Sequence, residues 1–197
     1  MSGVRADREQ RLIVEFEDRG AWERWLGAQH FSSSGVWLKL ARKGSPATTV
    51  TYAEAVEEAL RYGWIDAQKA PHDESFWLQR FTPRGPRSKW SQINRRKAIA
   101  LIEQGRMTPA GLAKVEAARR DGRWEAAYVS PRTATVPDDF QRALDENPAA
   151  KHFFAGLGSS HRYSFLYRIA DAKRPETRAR RIREYVAILA ERETIHR

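Results

Sequence analysis

Trp64 and Asp66 stand two residues apart in the run Trp64-Ile65-Asp66-Ala67-Gln68, which reads as a strand. Alternate strand residues share a face, so Trp64, Asp66 and Gln68 point to one side. An Asp beside a Trp can have its proton affinity raised by desolvation and then act as a general acid or base. The alternative is an ion pair from Asp66 to Arg80 or Arg84 on a neighbouring strand. Either way the carboxylate is expected to be partly buried and paired, because an unpaired buried charge is expensive.

A second set follows closely. Arg80, Arg84, Arg87 and Lys89 are interleaved with Phe81, Pro83, Pro86 and Trp90. Guanidinium groups grip phosphates in pairs of bonds, and aromatic rings can stack on bases. The plainer reading is a solvated basic hairpin beside core aromatics. On the helix opened by Ser91, a wheel places Trp90, Ile93, Asn94, Lys97 and Leu101 together, with Arg95 and Arg96 pointing to water. Asn94 and Lys97 either face the cavity of Asp66, or bond a loop carbonyl and reach outward. The candidate ligand-binding set is Trp64, Asp66, Arg80, Thr82, Arg84, Lys89, Trp90 and Asn94, and Asp66 is the one candidate catalytic group.

The charge distribution singles out the same region. The 197 residues carry 35 Lys and Arg against 25 Asp and Glu, a net charge of +10. Residues 1–60 sum to −1, residues 61–134 to +8 and residues 135–197 to +3. From Ser75 to Ile102 there is no acid. A local positive field attracts phosphates, carboxylates, nucleic acid or acidic surfaces, although a basic face can also lack any specific ligand.

Several classes of function find no support. There is no cysteine, hence no thiol catalysis and no Cys-ligated metal. The histidines His30, His72, His152, His161 and His196 form no i, i+4 or HExxH pair, so no metal site is expected. No Walker loop, GxGxxG or GxSxG motif is present, so no cofactor is expected. Helix-turn-helix, RRM, KH and zinc-finger patterns are missing too. No window is apolar enough to span a bilayer. The opening residues Met1–Glu9 are too charged for a signal peptide, so the expected location is the cytoplasm.

Strands and helices must position these side chains. Strands are expected at Leu12–Phe16, Gly35–Leu40, Trp64–Gln68 and Ser75–Thr82. Asp18 caps a helix to about His30, and Thr51 with Glu54 forms a capping box for the next, closed by Gly63. Ser91 and Thr108-Pro109 open two more. After a polar linker at 130–135 the pattern is helical, with starts at Pro137, Asn147-Pro148, Ser159 or Ser160, and Pro175. In this tail Arg162, Arg178 and Arg181 need acidic or carbonyl partners, with Glu176 nearby in sequence; docking of the tail onto the sheet is favoured over ligand binding. The expected fold is α+β: a small mixed or antiparallel sheet with packed helices, then an all-helical part. The expected division is 1–134 and 135–197.

Taken together, the motifs resemble one family. They are Gly63-Trp64-Ile65-Asp66, Arg80-Phe81-Thr82-Pro83-Arg84, Ser88-Lys89-Trp90-Ser91 with Asn94, Gly105-Arg106-Met107 with Gly111, and Gly122-Arg123-Trp124. In the tail they are Asn147-Pro148-Ala149, Phe153-Phe154, Arg162, Ile169, Ala172-Lys173-Arg174, and Glu176-Thr177-Arg178 with Arg181-Ile182. From about Phe16 onward the chain resembles the YdeI/OmpD-associated family. The resemblance implies a link to bacteriocin protection and, by name, to an outer-membrane porin; it carries no reaction and no catalytic residues. A porin partner requires export, for which the sequence shows no signal, so that association is not expected.

Three readings follow. The first is a non-enzymatic binder of an anionic or phosphate-bearing ligand, linked to stress or antimicrobial-peptide protection. The second is a sequence-tolerant nucleic-acid binder using the same patch. The third is an enzyme on a small anionic substrate, with Asp66 as acid or base and Arg80 and Arg84 as clamps; it requires one cleft holding all three.

Overall fold

A computed structural model describes residues 12–195, so the charged opening residues and His196 lie outside the described residues. The element order is β1 (Ile13–Glu15), α1 (Arg19–Gln29), β2 (Val36–Ala41), α2 (Tyr52–Arg61), β3 (Trp64–Pro71), β4 (Phe76–Pro83), α3 (Gln92–Glu103), α4 (Pro109–Arg120), α5 (Asp138–Asp145), α6 (Pro148–Gly156), α7 (Ser159–Ala170) and α8 (Pro175–Ala190). This is an α+β fold with a helical C-terminal part. Two units are separable: residues up to Trp90 together with Asn94–Ala126, and Ser91–Ile93 together with the residues from Ala127 onward.

In the first unit the sheet order is β1-β2-β4-β3, with β1 parallel to β2 and the other pairs antiparallel. Directly opposed residues share a face. Val36 opposes Phe81 and Leu38 opposes Gln79. Phe81 packs against Trp22 of α1, with ring centroids 5.6 Å apart, and the Trp22 indole donates to the Ala55 carbonyl of α2 at 3.1 Å. Helices α1 and α2 therefore cover that face. The expected caps form: Asp18 accepts from the Ala21 amide, and Thr51 and Glu54 exchange their bonds.

Helix α2 also buries a charge. Glu58 is fully inaccessible to solvent and accepts from Arg19 Nε at 2.5 Å and from the Arg61 guanidinium. Arg106 stands 3.5 Å away. Glu57 bridges Arg19 at 2.7 Å and Arg106 at 2.9 Å, and Glu23 takes Arg61 at 2.6 Å. The network ties α2 to α1 and to the loop before α4.

The second unit is a helical cluster around stacked aromatic edges. Phe140 meets Phe154, Phe154 meets Phe165 and Phe165 meets Tyr185, each nearly edge to face. That arrangement suits ring quadrupoles. Helix α7 is capped by Gly158 and begins at Ser159, so neither Ser159 nor Ser160 supplies the expected side-chain cap. The Tyr163 hydroxyl is pushed up to about 12 by burial and donates to the Val129 carbonyl at 2.8 Å.

Arg178 grips Asp139 through two bonds of 2.6 and 2.8 Å and also donates to the Ile169 carbonyl. The bonds from Arg178 hold the Asp139 carboxyl below its ordinary value, against a smaller desolvation effect. A carboxylate with a lowered folded pKa contributes stability above its ordinary pKa and loses it as pH falls through the folded value. The melting temperature should therefore drop on acidification below about pH 4. Asp139→Asn should flatten that drop; an unchanged acid slope would exclude this pair as its source.

Candidate functional site

The register separates the predicted residues. Asp66 opposes Phe81 and Trp64 opposes Pro83, which puts Trp64 and Asp66 on the helix-covered face. Arg80 opposes Trp37 and Thr82 opposes Ile65, which puts Arg80 and Thr82 on the other face. Asp66 and Arg80 thus point away from each other, and the single cleft expected to hold Asp66, Arg80 and Arg84 does not form. Asp66 is half-buried and paired, as its chemistry requires, but its partner is the Tyr52 hydroxyl at 2.8 Å rather than an arginine. Trp64 is buried, donates to the His30 carbonyl at 3.2 Å and stands edge-on to Trp25. It also lines a hollow of about 340 Å³ with His30, Phe31, Tyr62 and Lys114.

Arg84, Lys89 and Trp90 do come together, in the loop after β4. The Arg84 guanidinium lies 3.7 Å over the Trp90 ring and donates to the Lys89 carbonyl, and Arg84 is only 2% exposed. Trp90 meets Trp124 edge-on at 4.9 Å, and Arg119 lies over Trp124. Arg95 donates to the Trp124 carbonyl at 3.0 Å, so it turns inward rather than to water as the wheel suggests. Ile93, placed by the wheel in the buried stripe, is 39% exposed, and Asn94 and Lys97 are half-buried. Phe81 and Trp90, 0% and 2% exposed, offer no ring face to a base. These arginines hold the loop together by stacking and by capping carbonyls; Lys89 and Arg96 remain exposed.

A different cationic recess exists at the far end of the β3–β4 hairpin. Between Asp66 and Lys69 the register shifts: Ala67 and Gln68 occupy the space opposite Arg80 alone. This is a β-bulge. The Gln79 amide fills it, donating to the Gln68 carbonyl at 3.1 Å. The extra residue takes Gln68 off the face of Trp64 and Asp66, where simple alternation places it, and puts Lys69 there instead. Lys69 then lines an open hollow of about 540 Å³ with Arg42, Lys43, Ala70, Pro71 and Trp77.

The hollow is built firmly. Arg42 Nε donates to the Asp73 and Phe76 carbonyls at 3.0 and 3.1 Å, fixing the side chain against the hairpin turn. Desolvation works to raise the Asp73 carboxyl, but the Phe76 and Ser75 amides outweigh it and hold the group below its ordinary value. Trp77 packs against Tyr52 at 5.7 Å, and Tyr52 in turn holds Asp66. Among the described residues, Arg42, Lys43 and Lys69 form no ion pair with a carboxylate. Many other basic residues do, as Arg19, Arg61, Arg123 and Arg178 show. Sequence reading missed this set because its cations lie up to 27 residues apart, outside the acid-free stretch. The indole supplies a planar wall and the cations supply charge, so the recess suits a small anion with a flat group.

Residues 14–114, just over half of the chain, match the family model described as a domain of unknown function (DUF8412). Residues 133–192 match the model described as "Bacteriocin-protection, YdeI or OmpD-Associated". The chain belongs to the DUF8412 family and carries a YdeI/OmpD-associated domain. The tail motifs from Asn147 to Ile182 fall inside the YdeI/OmpD-associated segment, whereas those from Gly63 to Gly111 fall inside the DUF8412 segment. No curated protein and no solved structure matches the chain.

In the YdeI/OmpD-associated domain the three singled-out arginines have partners within the helical unit. Arg162 lies 5.1 Å from the Phe154 ring centroid, Arg178 binds Asp139 rather than Glu176, and Arg181 donates to the Arg168 carbonyl. Among the described residues no helix is long and apolar enough to cross a membrane, and no three metal-ligating side chains cluster.

Proposed function

We propose that this protein is a binding protein for a small anionic ligand, held in the hollow at the end of the β3–β4 hairpin. One observation carries the reading: Arg42, Lys43 and Lys69, without carboxylate partners among the described residues, converge on a recess walled by Trp77. A phosphate or carboxylate would pair with the cations while a planar group lies on the indole. Asp66, bonded to Tyr52, positions the ring that backs Trp77. No turnover is needed. The protection named in the matching family's description would then be reached through the ligand, inside the cell. A chain of net charge +10 repels cationic peptides and is poorly suited to capturing them directly. A nucleic-acid reading draws less support, because the rings that would stack on bases are buried.

The test is calorimetric titration with AMP, which joins a planar base to a phosphate. Lys69→Glu and Trp77→Ala should each weaken binding at least about tenfold, the size expected for losing one charge-assisted contact or one stacking face. Arg96→Glu, on an exposed position of α3, should leave affinity within about twofold. Absence of AMP binding at millimolar concentration, or an equal loss in Arg96→Glu, would overturn the proposal.

A further inference from the structure

Among the described residues, four helices end on a residue in the left-handed region. Gly63 follows α2 with φ 72°, Gly105 follows α3 with φ 66° and Gly122 follows α4 with φ 76°. After α8 the same place is taken by Arg192, with φ 58°; among the described residues it is the one non-glycine with positive φ. The backbone bond is also shared. Each amide donates to the carbonyl three residues back: Gly63 to Leu60, Gly105 to Ile102, Gly122 to Arg119 and Arg192 to Leu189. The turn therefore needs a left-handed residue and glycine adopts it without steric cost, whereas an arginine Cβ is strained there. A side chain kept against that strain is a pointer to function.

Its surroundings supply one. Arg192 lines a hollow of about 580 Å³ with Pro148, Ala149, His152, Phe153, Gly156 and Leu157. That volume lies in the usual range for a small-molecule site. Phe153, Pro148 and Leu157 make an apolar wall; Arg192 and His152 bring the polar groups. Arg192 forms no ion pair among the described residues, and its neighbours Glu191 and Glu193 are exposed.

We propose that this hollow in the YdeI/OmpD-associated domain binds an amphipathic organic anion, its carboxylate or phosphate on Arg192 and its apolar body against Phe153, Pro148 and Leu157. The site is separate from the hairpin hollow and does not depend on it.

The experiment follows backbone amide shifts of His152, Phe153 and Arg192 in the full chain, titrated with octanoate and with octyl phosphate; octanol serves as the uncharged control. Both anions should shift these amides, and the stronger of the two tells which headgroup is preferred. Arg192→Gly should weaken anion binding at least about tenfold. The same variant should raise the melting temperature by about 2–4 °C, because glycine relieves the turn. Those opposite signs separate a ligand role from a structural one. Unchanged anion binding in Arg192→Gly, a lowered melting temperature in that variant, equal shifts with octanol, or no shifts with either anion at millimolar concentration would each overturn the proposal.

Discussion

Glu58→Gln lowers folding stability by about 3–5 kcal/mol, the range for removing one partner of a buried ion pair. Glu58 has no solvent contact and serves Arg19 and Arg61 directly, with Arg106 close by. Burial alone would loosen the proton on Arg61, but bonds from Glu23 and Glu58 outweigh it and raise the group above its ordinary value. Taking Glu58 away leaves the mostly buried Arg61 with Glu23 as its carboxylate partner, and leaves Arg19 and Arg106 with the part-exposed Glu57. Glu57 touches Arg19 and Arg106 as well, yet its side chain is 29% exposed. Glu57→Gln should therefore cost no more than about 1 kcal/mol. Urea unfolding of both variants decides the matter; equal costs would show that burial is not what makes Glu58 important.

Gly111→Ala should destabilise by about 2–3 kcal/mol, although the same change in an open helix gains about 1 kcal/mol. A Cβ at Gly111 would stand 2.2 Å from the Arg61 carbonyl oxygen and 2.5 Å from the Met107 sulfur. Met107 is flexible, but the Arg61 carbonyl is not. It already accepts the Thr108 hydroxyl at 2.5 Å, and backing away would break that bond. Helix α4 can lie this close to the end of α2 because residue 111 has no side chain. At Gly156, at the end of α6, a methyl group would meet nothing within 4 Å, so Gly156→Ala should be neutral or stabilising. In thermal melts Gly111→Ala should lower the melting temperature while Gly156→Ala leaves it unchanged or raises it; an unchanged or raised melting temperature in Gly111→Ala would rule out the clash.

What could be read from sequence was local. Thr51 with Glu54, Thr108-Pro109 and Asn147-Pro148 announce their helices because capping is settled within four residues. On α2, Ala55, Val56, Ala59 and Leu60 recur at helical spacing, a pattern that is also local in the chain. Glu58 on the same helix was not legible, since its burial depends on Arg19 and Arg106, 39 and 48 residues away in the chain. The candidate site fared similarly. Alternation put Trp64 and Asp66 on one face correctly, but the bulge after Asp66 reassigned Gln68 and Lys69. No residue in Ala67-Gln68 signals a bulge; the extra residue is accommodated by Gln79 from the next strand. The acid-free stretch pointed to Arg84 and Trp90, whose cation–π contact turns the arginine inward. A composition signal does not say whether a guanidinium faces water or an indole.

The most direct measurement is a titration of the protein with AMP, followed by NMR of the tryptophan indole and backbone amides. The Trp77 indole and the amides of Arg42, Lys43 and Lys69 should shift first and together, with one dissociation constant. Shifts confined to Arg87–Arg96, or scattered over the basic surface without Trp77, would exclude the hairpin hollow as the binding site.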